Sequence, residues 1–439
     1  MTSVTSLSST ALLTDQYELT MLQAALRSGA AGRECVFEVF ARRLPEGRRY
    51  GVVAGTGRLP EAIRDFRFGE AELTALRERG AVDEPTLSFL AGYRFTGDVW
   101  GYAEGECFLP GSPLVVVEGS FAEAVVLETL VLSILNHDAA VASAASRMTS
   151  AAGDRPCIEM GSRRTHEEAA VAAARAAYIA GFAATSNLEA GRRYGVPTAG
   201  TSSHAFTLLH DSEREAFVAQ VASLGAGTTL LVDTYDVPAA VRLAVQVAGP
   251  GLGAVRLDSG DLLAQAREVR SLLDSLGATS TRIVVTSDLD EYAIASLAAA
   301  PVDSYGVGTS LVTGSGAPTA GLVYKLVARA DAAGALVPVQ KRSKDKLSIG
   351  GRKWATRRID SQGVADAEVV GVESPPQGDS NDRPLLVPLV RRGEVVQAPD
   401  LAAARERHTL SRAELPRTAL QLSRGGPAIP TIYSRVTQK

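Results

Sequence analysis

The chain has 439 residues, a formal net charge of -4 and 46% hydrophobic residues. That length buries a large core and predicts two or more structural units, and the mild acidity argues against a general nucleic-acid or membrane-surface binder. Three cysteines, Cys35, Cys107 and Cys157, are too few and too scattered for a disulfide framework or a zinc site, and Cys157 lies in an apolar segment suited to a core. Neither a basic-then-apolar leader nor an apolar run of membrane-spanning length is visible, so the expectation is a soluble, cytoplasmic protein.

In chain order, the first ten residues are Ser/Thr-rich and expected to lack order. Thr14 to Ser28 predicts a helix with Leu19, Leu22 and Leu26 on one face. Val36 to Phe40 alternates as a strand does, and Arg94 to Glu106 and Leu114 to Glu118 predict further short strands. Phe121 to Met148 predicts a long apolar helical region broken near Asn136-His-Asp. Residues 1–150 are therefore expected to form an α+β domain.

The pattern changes in the middle. Strand-like segments recur at Cys157–Glu159, Ala183–Thr185, Thr198, Thr228–Val232, Ala254–Leu257, Arg282–Val285 and Val302–Val307. Helical segments lie between them, at Glu167–Ala180, Val237–Val247, Leu262–Leu276 and Glu291–Ala299, the first opened by a Thr165-x-x-Glu168 capping box. This alternation predicts parallel strands with crossover helices and favours an irregular β/α barrel over residues 151–325. After about residue 325 the alternation stops. Ser374 to Pro384 is loop-like, and Leu385–Val390 and Glu394–Val396 predict a hairpin around Arg391-Arg-Gly393. Residues 326–439 are expected to form a small C-terminal extension partly packed on the N-terminal domain.

In an α/β scaffold the chemistry belongs at the carboxyl ends of the strands. There the chain carries Glu159-Met-Gly-Ser-Arg-Arg164, Asp233-Thr-Tyr-Asp236, Arg256-Leu-Asp-Ser-Gly-Asp261, Thr286-Ser-Asp288 and Gly306-Val-Gly-Thr-Ser310. One such loop is explained by helix capping; five on one face call for a ligand. Gly306, Gly308 and Thr309 suit a phosphate cradle, which Gly314-Ser-Gly316 extends. Arg163, Arg164 and Arg256 offer planar forks for carboxylate or phosphate. Asp233, Asp258 and Asp261 suit a ribose or hydrated magnesium. His204, in Gly200-Thr-Ser-Ser-His204-Ala-Phe, is one of only five histidines and suits a base, a metal ligand or a phosphoryl acceptor. His137, His166, His210 and His408 are taken as structural.

Leu13-Thr-Asp-Gln-Tyr17, Glu159–Arg164, the Gly200–Phe206 loop, Val255-Arg-Leu-Asp-Ser-Gly-Asp261 and Gly306–Thr309, in this order, resemble the nicotinate phosphoribosyltransferases over nearly the whole chain. The resemblance implies an irregular β/α barrel with an N-terminal α/β domain. It implies synthesis of nicotinate mononucleotide from nicotinate and phosphoribosyl pyrophosphate, for NAD salvage, coupled to ATP hydrolysis through a phosphohistidine, with Mg2+ as cofactor and ATP as cosubstrate. On this resemblance His204 is phosphorylated, and Arg256, Asp258 and Asp261 serve catalysis. Thr201 and Arg256 contact nicotinate, Arg163 and Arg164 lie at this pocket or at the diphosphate, and Asp233 meets substrate. Gly306, Gly308 and Thr309 bind the 5-phosphate, and Tyr17 stacks on the pyridine ring across a homodimer. No protein ligand to the metal is assigned.

Four rivals are set against this. A nicotinamide-specific relative carries an aspartate just after the corresponding Gly-Thr, where this chain has Ser202; a carboxylate there would repel nicotinate. A quinolinate enzyme needs no phosphorylated histidine. An inactive regulatory relative would release no pyrophosphate. A sugar-phosphate aldolase or isomerase wants a strand-end lysine or a clear acid/base pair. Lys325, Lys344 and Lys346 fall later and suit a mobile loop over phosphate.

Overall fold

The computed structural model describes residues 9–341, 349–396, 398 and 400–434. Most of the Ser/Thr-rich start, and Lys344 and Lys346, lie outside the described residues. Two compact units divide the chain. One joins Met1–Ala140 to Thr319–Lys439, and the other is Val141–Pro318.

The first unit is built on a seven-stranded antiparallel sheet. Its strands run, side by side, Leu336–Pro338, Leu322–Ala330, Glu34–Ala41, Val115–Ser120, Asp98–Tyr102, Leu386–Arg391 and Glu394–Val395. Strand Glu34–Ala41 does not alternate between core and solvent. Seven of its eight residues are buried, because it sits mid-sheet with apolar clusters on both faces. Its two neighbours lie about two hundred residues apart in the chain: Val39 pairs with Val115 on one side and with Tyr324 on the other. The hairpin near residue 390 forms as its sequence suggests, turning through Arg392 (φ 50°) and Gly393 (φ 78°). A second, four-stranded sheet orders Arg383–Pro384, Lys353–Ile359, Ala365–Val372 and Thr431–Ser434.

Two pairs of opposite charge are buried here. Lys353 Nζ lies 2.6 Å from Glu38, and Arg357 lies 2.6 Å from Glu368 with both side chains fully buried. Lys325 stands in strand Leu322–Ala330, 4.0 Å from Glu128, so it is not on a loop over phosphate.

The helical region expected to break near Asn136 breaks earlier. A short helix Phe121–Val125 is followed by one continuous helix, Glu128–Ala152. Asn136 and Asp138 find tertiary partners instead of ending the helix. Asn136 Oδ1 accepts from the Leu322 N–H and the Thr319 hydroxyl, both at 2.8 Å. Asp138 takes both arms of Arg58, at 2.7 and 3.0 Å. Against the upward push of its burial, Arg58 and His137 hold the Asp138 carboxyl down at about 2.

The second unit carries a six-stranded parallel sheet, its strands numbered here in chain order: β1 (Cys157–Glu159), β2 (Ala184–Thr185), β3 (Thr229–Leu231), β4 (Ala254–Leu257), β5 (Arg282–Val285) and β6 (Ser304–Val307). The spatial order is β2-β1-β6-β5-β4-β3, every pairing is parallel, and a Thr185–Thr198 bridge adds a single residue beyond β2. The sheet is a half-barrel whose hydrogen-bonded ladder, among the described residues, does not return from β3 to Thr198. The helix after β1 opens one residue later than the capping box implies. It runs Glu167–Ile179, with the His166 ring accepting from the Glu168 N–H at 3.3 Å. All three cysteines are buried and unbonded. Among the described residues, no helix is long and apolar enough to cross a membrane.

His408, on helix Leu401–Glu414 of the first unit, is 2% exposed, and neither ring nitrogen has a hydrogen-bond partner among the described residues. Burial, with Arg412 adding to it, pushes the ring down to about 3. Above about pH 6.5 the ring is neutral whether the chain is folded or not. Below that, the unfolded chain takes up a proton that the folded one refuses, so stability falls with pH by about 1.4 kcal/mol per unit until the folded value is reached. Replacing His408 by Leu should remove this contribution. The stability difference between the two proteins, from urea unfolding at pH 7 and pH 5, should change by about 2 kcal/mol; parallel pH profiles would contradict this account of His408.

Candidate active site

The carboxyl ends of the half-barrel strands open into a cleft of about 710 Å³. Of the residues singled out in the sequence, Arg163, Arg164, Thr201, His204, Arg256, Asp258, Gly306, Gly308 and Thr309 line it. The fold separates strand-end aspartates that cap helices from those that face the cleft. Asp236, Asp261 and Asp290 cap the helices that follow their strands, each accepting a backbone N–H of the first turn. Asp258 and Asp288 face the cleft. Asp261, expected among the catalytic residues, is therefore a helix cap that does not line the cleft.

His204 begins the short helix His204–Leu209, and its Nε2 lies 3.2 Å from Asp233 Oδ1. The Asp233 side chain is 2% exposed. Its other oxygen accepts from the Asp258 N–H at 2.9 Å and the Ser259 hydroxyl at 2.7 Å. Asp233 thus stands behind His204 and not among the lining residues. A carboxylate only accepts, so in the neutral ring Nε2 carries the proton and Nδ1 keeps its lone pair. His210 is occupied elsewhere. Its Nδ1 lies 2.9 Å from the Phe206 carbonyl and its ring meets the Phe206 ring edge-on at 4.8 Å.

Arg256 reaches from β4 to the Gly200–His204 loop, donating to the Thr201 hydroxyl at 3.2 Å and the Ser202 carbonyl at 3.0 Å. Burial lowers its guanidinium below the ordinary value; Asp258 and Asp233 oppose this and Arg163 adds to it. Its Nε has no partner among the described residues. A partly dehydrated cation with an unused donor is suited to an anion. Ser202 is held through its hydroxyl, 2.9 Å from the Gln220 side-chain oxygen.

The glycine turn after β6 packs tightly on the end of β1. Met160 donates its N–H to the Val307 carbonyl at 2.8 Å. Gly308 precedes a single helical turn, Thr309–Val312. Gly314-Ser-Gly316 does not extend this cradle: it forms a separate turn whose Ser315 hydroxyl donates to Glu291 at 2.5 Å. Beneath the arginine-bearing turn, Glu159 accepts from the Gly161 N–H and the Thr185 hydroxyl, and burial raises its carboxyl.

Of the other lining residues, Ser186 is not singled out from the sequence, Met160 and Phe206 are quoted only within motifs, and Thr286, Ser287 and Asp288 are named as a strand end with no residue role. Thr286-Ser-Asp288 is visible as a polar strand end, and the Thr286 hydroxyl donates to Asp258. Ser287 holds φ 141°, a conformation that side-chain-bearing residues rarely adopt and that clusters at functional sites. No signal in a serine announces it. Tyr17 belongs to the other unit, where it is 44% exposed.

A family model described as the nicotinate phosphoribosyltransferase (NAPRTase) N-terminal domain matches residues 12–136. Nicotinate phosphoribosyltransferase pncB1 of Mycobacterium tuberculosis is 61% identical, over 96% of this chain and 94% of its own length. The chain belongs to the nicotinate phosphoribosyltransferase family. The Bacillus subtilis nicotinate phosphoribosyltransferase is 37% identical, over 80% of this chain and 74% of its own. The crystal structure of human nicotinic acid phosphoribosyltransferase superposes with a TM-score of 0.82 at 28% identity, covering 96% of this chain and 97% of that one. The mixed α/β architecture is thus that of a nicotinate phosphoribosyltransferase.

Packing at the glycine turn of this family member is checkable. A Cβ on Gly306 would stand 2.5 Å from Thr286 Cγ2 and 2.7 Å from the Met160 sulfur. Gly306→Ala should therefore destabilise the protein by about 1–3 kcal/mol, as over-packing does. Gly200→Ala, whose Cβ would meet nothing within 4 Å, is the matched control. Equal denaturation midpoints for the two variants would count against a closed turn at Gly306.

Proposed function

We propose that this chain transfers the phosphoribosyl group of phosphoribosyl pyrophosphate to nicotinate, giving nicotinate mononucleotide and pyrophosphate, in the cytoplasmic salvage of nicotinate for NAD. ATP hydrolysis is coupled to the transfer through phosphorylation of His204. The observation that carries the reading is one cleft that gathers a part-buried arginine with a free donor, a backed histidine and a glycine turn.

The chemistry asks little of a general base, because the pyridine nitrogen is already a nucleophile. What needs stabilising is an oxocarbenium-like ribose and a departing diphosphate, and preorganised charge does that. Arg256 with Thr201 suits the carboxylate of nicotinate and would hold the ring in line with the anomeric carbon. Arg163 and Arg164 suit the diphosphate, and Gly306, Gly308 and Thr309 the 5-phosphate. Asp258 and Asp288 put hard oxygen donors on the cleft wall, which fits hydrated magnesium held mainly by the substrate's own phosphates. Magnesium so bound would offset charge on the leaving diphosphate.

His204 Nδ1, with its lone pair, is the atom placed to accept a phosphoryl group from ATP while Asp233 fixes the ring. Ser202 is neutral and fixed by Gln220, which favours the acid over the amide. A homodimer in which Tyr17 of the partner subunit stacks on the pyridine ring completes the proposal.

The test is to incubate the purified protein with nicotinate, phosphoribosyl pyrophosphate, magnesium and ATP and to follow mononucleotide and ADP together. Both should rise, with nicotinamide and quinolinate inert. His204→Ala should lose nicotinate-dependent ADP release and keep slow transfer; undiminished coupling would remove the role given to His204. Arg256→Lys should raise KM for nicotinate roughly ten- to a hundredfold, the worth of a charged hydrogen bond. An unchanged KM would move the carboxylate site elsewhere.

A further inference from the structure

Asp233 is the only carboxylate hydrogen-bonded to His204 among the described residues, and its own geometry is held from outside its strand. The Ser259 hydroxyl donates to Oδ2 at 2.7 Å, beside the Asp258 N–H at 2.9 Å, while Oδ1 faces His204. One oxygen is thus engaged by the turn after β4, and the other is left for the histidine. We propose that Ser259 is a positioning residue for the phosphoryl-transfer step. By holding Asp233 Oδ2 it keeps Oδ1 aimed at Nε2, and so keeps the His204 ring oriented with Nδ1 toward the incoming phosphoryl group. This rests on His204 being the phosphorylated residue.

The turn that carries Ser259 is built for this placement. Gly260 holds φ 84°, where a Cβ would meet Gln265 Nε2 at 2.4 Å. Asp261 then caps helix Leu262–Ser275 by accepting the Ala264 N–H at 3.1 Å. Asp258, one residue before Ser259, faces the cleft and accepts from Thr286. The four residues Asp258-Ser-Gly-Asp261 therefore divide into a cleft carboxylate, a tether, a turn and a cap. Ser259 is exposed as a residue, but its acceptor is not, so the bond is made to a charge shielded from water. A hydrogen bond to an ionised group of this kind is among the stronger ones. Without the hydroxyl, Oδ2 keeps only the Asp258 N–H, so the carboxylate is held by one donor fewer and the ring it supports is less tightly fixed.

The step itself balances simply. Nδ1 attacks the γ-phosphorus of ATP, the bond to the β,γ-bridging oxygen breaks, and ADP leaves with that electron pair. The Nε2 proton stays between His204 and Asp233. Ser259 is not among the residues that line the cleft and bonds Asp233, not His204, so its loss slows this step without abolishing it.

The experiment is a rapid-quench time course of protein labelling from ATP carrying a labelled γ-phosphate, on the full chain with magnesium. Wild type, Ser259→Ala, Ser259→Thr and His204→Ala are compared. Ser259→Ala is expected to lower the labelling rate roughly tenfold, with KM for nicotinate moved less than about twofold, and Ser259→Thr, which keeps a hydroxyl, to restore most of the rate. Labelling of Ser259→Ala at the wild-type rate would overturn the inference while leaving the phosphohistidine reading intact. A matching rise in KM for nicotinate, or failure of Ser259→Thr to rescue, would also overturn it, since either marks a general disturbance of the site. Label on His204→Ala, or none on wild type, would overturn the phosphohistidine reading and this inference with it.

Discussion

The buried carboxylate of Asp233 is the point on which the cleft turns. It accepts from three donors on two different segments: His204 from the Gly200–His204 loop, and the Asp258 N–H and Ser259 hydroxyl from the turn after β4. A carboxylate with so little exposure is stable only when its lone pairs are met, so the burial itself forces those segments together. Arg256 reinforces the same junction from the other side, bonding the loop through Thr201 and Ser202. The site is thus held by polar groups whose desolvation would be unfavourable if any one partner moved, which is what a preorganised site requires.

The half-barrel supplies the frame for this junction. Parallel strands deliver their carboxyl ends to one edge, and every loop there must begin a helix. Helix starts need acceptors for their free N–H groups, and Asp236, Asp261 and Asp290 meet that need. Of the strand-end acids not used for capping, Asp258 and Asp288 face the cleft, while Asp233 and Glu159 hold the loops around it. The same loops carry the strained Ser287 and the tightly packed Gly306. Function and folding therefore draw on one pool of strand-end polar residues.

The first unit is stabilised differently. Its seven-stranded sheet places strand Leu322–Ala330 against Glu34–Ala41, nearly three hundred residues earlier. Apolar residues cover both faces of the central strand. The ion pairs Lys353–Glu38 and Arg357–Glu368 lie inside this unit, where each partner offsets the desolvation of the other. Leaving either partner alone would cost about 3–5 kcal/mol.

Local pattern alone determined much of this protein. Seven strand-like segments between residues 157 and 307 are strands or, at Thr198, a bridge, because apolar runs bounded by turn residues and interleaved with 3.6-residue periodicity leave few other folds. The order of polar strand ends, together with the family resemblance, marks nine of the cleft residues. Tertiary structure alone decided the rest. Whether an aspartate caps or faces the cleft depends on where its neighbours lie in space, so Asp258 and Asp261, three residues apart, cannot be told apart by composition. Asn136 looked like a helix break because its type favours caps, yet a strand from residue 322 meets its amide. The backbone of Ser287, the Ser259 tether and the return of the C-terminal strands to the N-terminal sheet are long-range or conformational facts. No short window of sequence encodes them, because the partners that satisfy each group are distant in the chain.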